Sequence, residues 1–315
     1  MLLGELIKNI KPAYKSIKFN NIRFNSKDCK KDDIFFSIQG NKFNGNNYIK
    51  DAIKNGSKII ISNLNFEGFN KEKILFIKNK NPRKALAEAA SNFYKKKPKN
   101  IIALTGTNGK TSISNFFYQI LSLSKKKVAA IGTLGVLSKK IKLKTNNTTI
   151  DPIKMHQILQ KLKNSNIDNV IIEASSHGLK QHRLDGLNLK TALFTNLTRD
   201  HLDYHKTFKD YLNSKLILFN KLLLNKGNII FENGISQEKE LKKISKKKKL
   251  KIHKIGSENS FINLKKIQKI NDKKRINFSL LKKDYSFNSY LIGSIQIKKC
   301  LLYTSDSDDD SGCVD

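Results

Sequence analysis

The segment LTGTNGKTS, Leu104 to Ser112, has the residue types and spacing of a turn that holds phosphate. An apolar run, IIALT from Ile101, precedes it. SISNFFYQILSLS follows and reads as a helix. Gly106 and Gly109 let backbone N–H groups turn inward around phosphate oxygens, and the helix N-terminus adds positive potential. Lys110 can neutralise β- and γ-phosphates, and Thr111 can offer its hydroxyl to Mg²⁺. The match to the general pattern is incomplete, because Leu104 stands where a glycine is expected five residues before Gly109. A glycine-rich turn that binds nothing is the alternative.

Phosphoryl chemistry also needs metal ligands. Glu173 closes the apolar run Val170-Ile171-Ile172, which puts it at the carboxyl edge of a sheet, where open α/β folds bind ligands. It could serve Mg²⁺ there or merely cap the next helix.

These groups need a scaffold. VAAIGT from Val128, VIIEAS from Val170 and TALFTN from Thr191 read as further strands, and DPIKMHQILQKLKNS from Asp151 as a helix between them. Alternating strand and helix predicts a three-layer α/β domain around a mostly parallel sheet. Beyond Gly227 the pattern predicts short strands joined by lysine-rich turns, with antiparallel pairing as one option, and the densest lysine run, Lys239 to Lys251, reads as a solvated helix or loop. Near the N-terminus, IIIS at Ile59–Ser62 and ILFI at Ile74–Ile77 read as buried strands. A helix opens at Asn81-Pro82, and its Leu86, Ala89, Ala90 and Phe93 recur at helical spacing. KKKPKN, through Pro98, reads as a linker. The predicted organisation is a mixed α/β domain over 1–97, a P-loop α/β domain over 98–299 and a tail over 300–315. That tail, CLLYTSDSDDDSGCVD, turns Asp/Ser-rich in a lysine-rich chain and reads as a non-native junction rather than a genuine acidic tail.

A chain of 315 residues suffices for two domains with proper cores. Its net charge of +35, from 61 Lys+Arg against 26 Asp+Glu, raises the question of a nucleic-acid partner. The lysines are spread along the whole chain, beside abundant Asn and Ile. That is the mixture an AT-rich genome produces, whereas a binding patch is localised and often mixed with aromatics. Neither nucleic acid nor membrane is expected as a partner. No apolar run is long enough to span a bilayer, and the acidic Glu5 argues against a signal peptide. Cys29, Cys300 and Cys313 lack disulfide or metal spacing, which fits a reducing cytoplasm.

Four segments occur in order: TGTNGKTS, the NNTT of Asn146–Thr149, EASSHGLKQHR from Glu173, and FTNLTRDHLDYHKTFKDYLNSK from Phe194. Together they resemble the central ATPase domain of the Mur ligases, most of all the branch that adds the third residue of the peptide. NSK at Asn25–Lys27, DDIFFSIQGNKFNGNNYI from Asp32 and the Ala-rich helix leading to Phe93-Tyr94 resemble the family's N-terminal domain. The resemblance covers residues 1–299.

It implies an ATP- and Mg²⁺-dependent, amide-forming ligase of cytoplasmic cell-wall precursor synthesis. ATP would phosphorylate the terminal carboxylate of UDP-MurNAc-L-Ala-D-Glu. An amino acid, most often meso-diaminopimelate and sometimes lysine, would then attack the acyl phosphate. Gly106, Thr107, Asn108, Gly109, Lys110, Thr111 and Ser112 would hold ATP. Thr111, Glu173, His201 and Lys215 would serve the metal ions, Lys215 as a carbamate (N6-carboxylysine), which turns a cation into an anion. Ser26, Asn41, Lys42 and Phe43 would touch the UDP-sugar. Asn147, Thr148, Thr149, Ser175, Gln181 and Arg183 would line the peptide site. A monomer is expected. The family's third, Rossmann-like domain, which binds the amino acid, is missing from the expectation for this chain, so ligase activity is not expected of these 315 residues alone.

Other readings stand beside these. His177, His182, His201 and His205 could suggest zinc, although HExxH is absent. Arg183 could be a surface ion pair rather than a carboxylate clamp, and Lys215 an ordinary helix lysine. A folylpolyglutamate-type or other Mur ligase and a basic nucleic-acid-binding P-loop protein are the competing functions. Two departures from the family pattern are Lys27 where an arginine is usual and Gly293-Ser-Ile-Gln where Gly-x-Phe-Asn is usual.

Overall fold

Short β-branched and aromatic runs build the first of two sheets in the computed structural model, which describes residues 1–40, 43–256, 260–281 and 283–290. Asn41, Lys42, the Gly293-Ser-Ile-Gln segment and the tail from Cys300 lie outside the described residues. Strands β1 (Ile22–Arg23), β2 (Ile34–Phe36), β3 (Ile59–Ser62), β4 (Gly68–Phe69) and β5 (Leu75–Lys78) align in the order β1-β2-β3-β5-β4. Only the β4–β5 pair is antiparallel. Parallel strands are covered on both faces, which is why Ile59, Ile60 and Ile61 are all buried without polar alternation. Helices α1 (Leu3–Leu6) and α3 (Pro82–Phe93) bring Leu3, Leu6, Leu86 and Ala89 onto Ile34, Phe36, Ile59 and Ile61. Helix α2 (Ile49–Lys54) packs Ile49 and Ala52 with Phe35 and Ile60, the residues of opposite parity. The Asn81 side chain accepts the Lys84 N–H at 3.0 Å and so caps α3, with Pro82 in its first turn.

The second sheet begins at β6 (Asn100–Thr105), which runs into α4 (Lys110–Leu123). Then come β7 (Val128–Gly132), β8 (Gly135–Ser138), β9 (Lys142–Leu143), α5 (Pro152–Asn164), β10 (Asn169–Glu173), α6 (Ser176–Lys180) and β11 (Leu189–Phe194). The remaining elements are α7 (Leu202–His205), α8 (Phe208–Ile217), β12 (Leu223–Glu232), α9 (Glu238–Lys248), β13 (Lys251–Gly256), β14 (Ile262–Ile270), β15 (Lys273–Leu280) and β16 (Lys283–Ser289). Eleven strands lie in the order β16-β15-β14-β13-β12-β11-β6-β10-β7-β8-β9. Pairing is parallel from β7 to the start of β14 and antiparallel at both ends of the sheet. The mixed α/β architecture with a mostly parallel sheet is therefore the one expected from the alternation of apolar runs and helical stretches. Ile113 and Phe117 of α4 bury against Ile102, Leu104, Val128 and Ile171, each worth about 1.5–3 kcal/mol. That packing fixes the helix start and, with it, the turn that precedes it.

The region beyond Gly227 meets the expectation of antiparallel strands only from β14 onward. β12 and β13 pair in parallel, and a full helix, α9, joins them; antiparallel pairing starts only with β14. Leu241, Ile244 and Ser245 of α9 are buried while most of its lysines face outward. Of the two forms open to the densest lysine run, solvated helix or loop, that one-sided buried stripe gives most of it the helix.

The chain divides into two compact units. The first comprises Met1–Lys97, Asp151–Gln160 and Gln181–Gly186; the second comprises Pro98–Ile150, Lys161–Lys180 and the chain from Leu187 onward. Among the described residues, no helix is long and apolar enough to cross a membrane.

Candidate active site

Three strand ends of the second unit meet at one edge. The parallel register sets Glu173 of β10 opposite Leu104 of β6, and Phe194 of β11 opposite Thr105. The glycine-rich turn leaving β6 therefore lies between the carboxylate ending β10 and the Thr195-Asn196 step beyond β11. This is the carboxyl-edge position at which open α/β sheets take ligands.

Gly106 has φ of 150°, and a Cβ there would sit 1.8 Å from the Thr195 hydroxyl, so only glycine permits this approach. The Lys110 ammonium donates to the carbonyls of Gly106 at 2.8 Å and Thr107 at 2.9 Å. Burial lowers its pKa, against the opposing fields of Glu173 and Asp200. The Lys215 ammonium donates to the same Gly106 carbonyl at 2.8 Å. Its side chain is 1% exposed, and the ammonium lies 4.4 Å from the centre of the Tyr211 ring, one helical turn back in α8. Burial first, and then the charge of Lys110, push the Lys215 pKa down to about 7, with Asp200 opposing. An amine titrating there is neutral often enough to react as a nucleophile, which an ordinary surface lysine is not.

Glu173 is 1% exposed and fully engaged. It accepts from the hydroxyls of Thr111 at 3.0 Å, Ser114 at 3.1 Å and Thr133 at 3.0 Å, and from the Thr133 N–H at 3.2 Å. These contacts give a buried carboxylate the hydrogen bonds it needs. Its side chain crosses directly over Gly132, where a Cβ would come within 2.1 Å of the carboxylate oxygen. Gly132→Ala is thus expected to expel Glu173 from its seat and to weaken Mg·ATP binding at least about tenfold, the scale of losing charge-assisted contacts. Calorimetric titration of the variant with Mg·ATP reads this, and unchanged affinity would show that the Glu173 seat is dispensable.

The NNTT segment and the start of α6 form a second cluster in the same unit. The buried Thr149 hydroxyl donates to the Glu173 carbonyl at 2.8 Å and accepts the Ser175 N–H at 2.9 Å. The Ser175 hydroxyl lies 3.0 Å from that of Thr149 and accepts the Gly178 N–H at 3.1 Å. Thr148 and Thr133 share a hydroxyl contact of 3.1 Å, which ties the segment to Glu173. Asn147 is exposed, and its carbonyl accepts from the Thr145 hydroxyl at 3.3 Å.

His201 occupies the left-handed region at φ of 52° immediately before α7. It is exposed, and its ring centroid lies 5.0 Å from that of His177 and 6.1 Å from that of Tyr211. His205 is fully buried behind it, and desolvation lowers its pKa. Among the described residues, no group of three His, Cys, Asp or Glu side chains could hold a metal.

Mg²⁺ prefers hard oxygen donors. The Thr111 hydroxyl and a Glu173 carboxylate oxygen are 3.0 Å apart, so these two fit the ion. Lys215 fits only as a carbamate, since an ammonium offers no lone pair.

The remaining candidates lie in the first unit. Ser26 is buried at the start of a short turn, and its carbonyl accepts from the Asn55 amide at 2.9 Å. Phe43 is 67% exposed. Arg183 donates to the Gln181 side-chain oxygen Oε1 through Nε at 3.1 Å and Nη2 at 2.7 Å. Sequence reasoning did not single out Gly132, Thr133, Ser114, Asn196 or Tyr211. Tyr211 alone carried a local signal, its i, i+4 spacing from Lys215.

Comparison with known proteins agrees with this layout. The model of the Mur ligase middle domain matches residues 104–302, and that of the Mur ligase family catalytic domain matches residues 18–94. The chain is 36% identical over 298 residues to the UDP-N-acetylmuramoyl-L-alanyl-D-glutamate–2,6-diaminopimelate ligase of Rickettsia montanensis, covering 93% of this chain and 61% of that one. It is 40% identical over 254 residues to the enzyme of the same name from Clostridium tetani, covering 78% and 52%. A solved structure bearing that name superposes with a TM-score of 0.83 at 22% identity, over 96% of this chain and 62% of that one. The chain thus spans about 61% of the length of the first of these relatives.

Proposed function

Because this chain belongs to the Mur ligase family, we propose that it supplies the UDP-sugar-binding and ATP-binding parts of a ligase that adds the third amino acid to UDP-MurNAc-L-Ala-D-Glu. The assignment of meso-diaminopimelate as that amino acid rests on the names of the relatives it matches. The observation that carries the reading is Lys215: a fully buried amine at the phosphate turn, with no acidic ion-pair partner among the described residues and a pKa near 7. A buried amine held on the Gly106 carbonyl beside the phosphate turn supports a lysine that accepts CO2 there.

In this reading the helix start at Lys110–Ser112 and the Lys110 ammonium hold the triphosphate. Thr111 and Glu173 hold Mg²⁺, with His201 and the Lys215 carbamate serving a second ion. Bound Mg²⁺ supplies charge neutralisation on the phosphates. A carboxylate oxygen of the substrate attacks the γ-phosphorus, and ADP leaves. The amine of the amino acid then attacks the acyl carbon, phosphate leaves, and the amine surrenders a proton. Ser26 and the Asn41–Phe43 segment contact the UDP-sugar, while Asn147, Thr148, Thr149, Ser175, Gln181 and Arg183 serve the peptide. The reading assigns the reaction to the cytoplasm and to a monomer.

The complete product of the gene should form UDP-MurNAc-tripeptide from UDP-MurNAc-L-Ala-D-Glu, ATP and meso-diaminopimelate, detected by mass spectrometry. Product with lysine alone would replace the amino acid, and product only with a folyl substrate would replace the branch of the family.

A further inference from the structure

The phosphate turn is not held by its own backbone. The Thr107 N–H donates to the carbonyl of Asn196 at 2.9 Å. The Asn108 N–H donates to the Asn196 side-chain oxygen at 2.9 Å, and the Asn196 amide returns a bond to the Asn108 carbonyl at 3.2 Å. That carbonyl also accepts from the Thr195 hydroxyl at 2.8 Å. One residue earlier, the Thr107 hydroxyl accepts the Thr198 N–H at 3.0 Å and lies 3.2 Å from the Thr198 carbonyl and 3.1 Å from the Tyr211 hydroxyl. A hydroxyl has one proton and two lone pairs. The set closes if Thr107 donates to the Thr198 carbonyl and Tyr211 donates to Thr107.

The turn is thus divided. Thr107 and Asn108 are fastened to the Thr195–Thr198 stretch, so their N–H groups point at protein. The first N–H groups of α4, at Lys110, Thr111 and Ser112, have no partner within their helix by construction. We propose that Asn196 is a positioning residue that latches the first half of the turn and so leaves the helix start to receive the phosphates. Tyr211 strengthens the latch through Thr107 and, since its ring also lies beside the Lys215 ammonium, joins the turn to that lysine. This inference rests on the nucleotide-site reading above.

Loss of the Asn196 amide removes both bonds to Asn108, and two bonds of ordinary strength correspond to about a tenfold change in an equilibrium. The experiment is calorimetric titration of the 315-residue chain with Mg·ATP, for the unaltered chain, Asn196→Ala and Tyr211→Phe, with affinity counted per folded chain and the thermal midpoint measured without nucleotide. A latch predicts affinity about tenfold weaker in Asn196→Ala and several-fold weaker in Tyr211→Phe, in chains that remain folded. Equal affinity per folded chain, with only a lowered midpoint, would mean that Asn196 is structural and would overturn the latch alone. Failure of the unaltered chain to bind Mg·ATP would overturn the nucleotide site and the latch with it. Should Asn196→Ala not fold, Tyr211→Phe decides: unchanged affinity rejects the latch, and weakened affinity upholds it.

Discussion

Lys110→Ala is expected to lower ATP-dependent ligation by the gene's complete product at least about a hundredfold. Phosphoryl transfer depends almost wholly on positioning and on stabilising charge, and a hundredfold loss corresponds to about 2.7 kcal/mol of transition-state stabilisation. Lys110 now spends its ammonium on the carbonyls of Gly106 and Thr107, two neutral acceptors of its own turn. Phosphate oxygens offer it a full opposing charge, so the side chain gains by exchanging partners. Steady-state kinetics with the variant reads the effect, and near-normal turnover would remove Lys110 from the phosphate site.

The second large effect concerns Lys215. If it acts as a carbamate, Lys215→Ala removes an anion and activity falls by a similar factor. Lys215→Glu retains the sign of the charge and should be less damaging than Lys215→Arg. A better result with arginine would mean that the unmodified cation is the working form. The pH dependence has a definite sign. Carbamate forms from the neutral amine and CO2, with release of a proton. With a pKa of about 7, the neutral fraction is small at pH 6 and dominant at pH 8. At fixed dissolved CO2, activity should therefore fall as pH drops through 7. At pH 8 it should decline in CO2-stripped buffer and return when bicarbonate is added.

The parallel core was readable because its strands are uninterrupted apolar runs. The runs Ile101–Leu104, Val128–Ile131 and Val170–Ile172 are too short for helices, and each is soon followed by a glycine or a polar residue. Those same runs located the turn at Gly106 and the carboxylate at Glu173. The Asn196 latch was not readable, because its side-chain amide meets only the backbone of Asn108, 88 residues away, and every residue possesses such backbone groups. Thr133 gave no signal either, since a threonine after a strand is common and its carboxylate partner lies 40 residues away. Composition left α9 open between a solvated helix and a loop, because its many lysines leave a buried stripe of only Leu241, Ile244 and Ser245. The segments Asp151–Gln160 and Gln181–Gly186 group with the first unit through packing that no local pattern encodes.

In the proposed function, ATP activates a carboxylate of the UDP-sugar peptide at this site. The most direct test of that step uses UDP-MurNAc-L-Ala-D-Glu carrying oxygen-18 in the terminal carboxylate, incubated with the gene's complete product, ATP, Mg²⁺ and meso-diaminopimelate. The acyl phosphate hands one carboxylate oxygen to the departing phosphate. The prediction is therefore one labelled oxygen in inorganic phosphate for each amide formed, with both products lost in Lys110→Ala. Amide formation accompanied by unlabelled phosphate would contradict it.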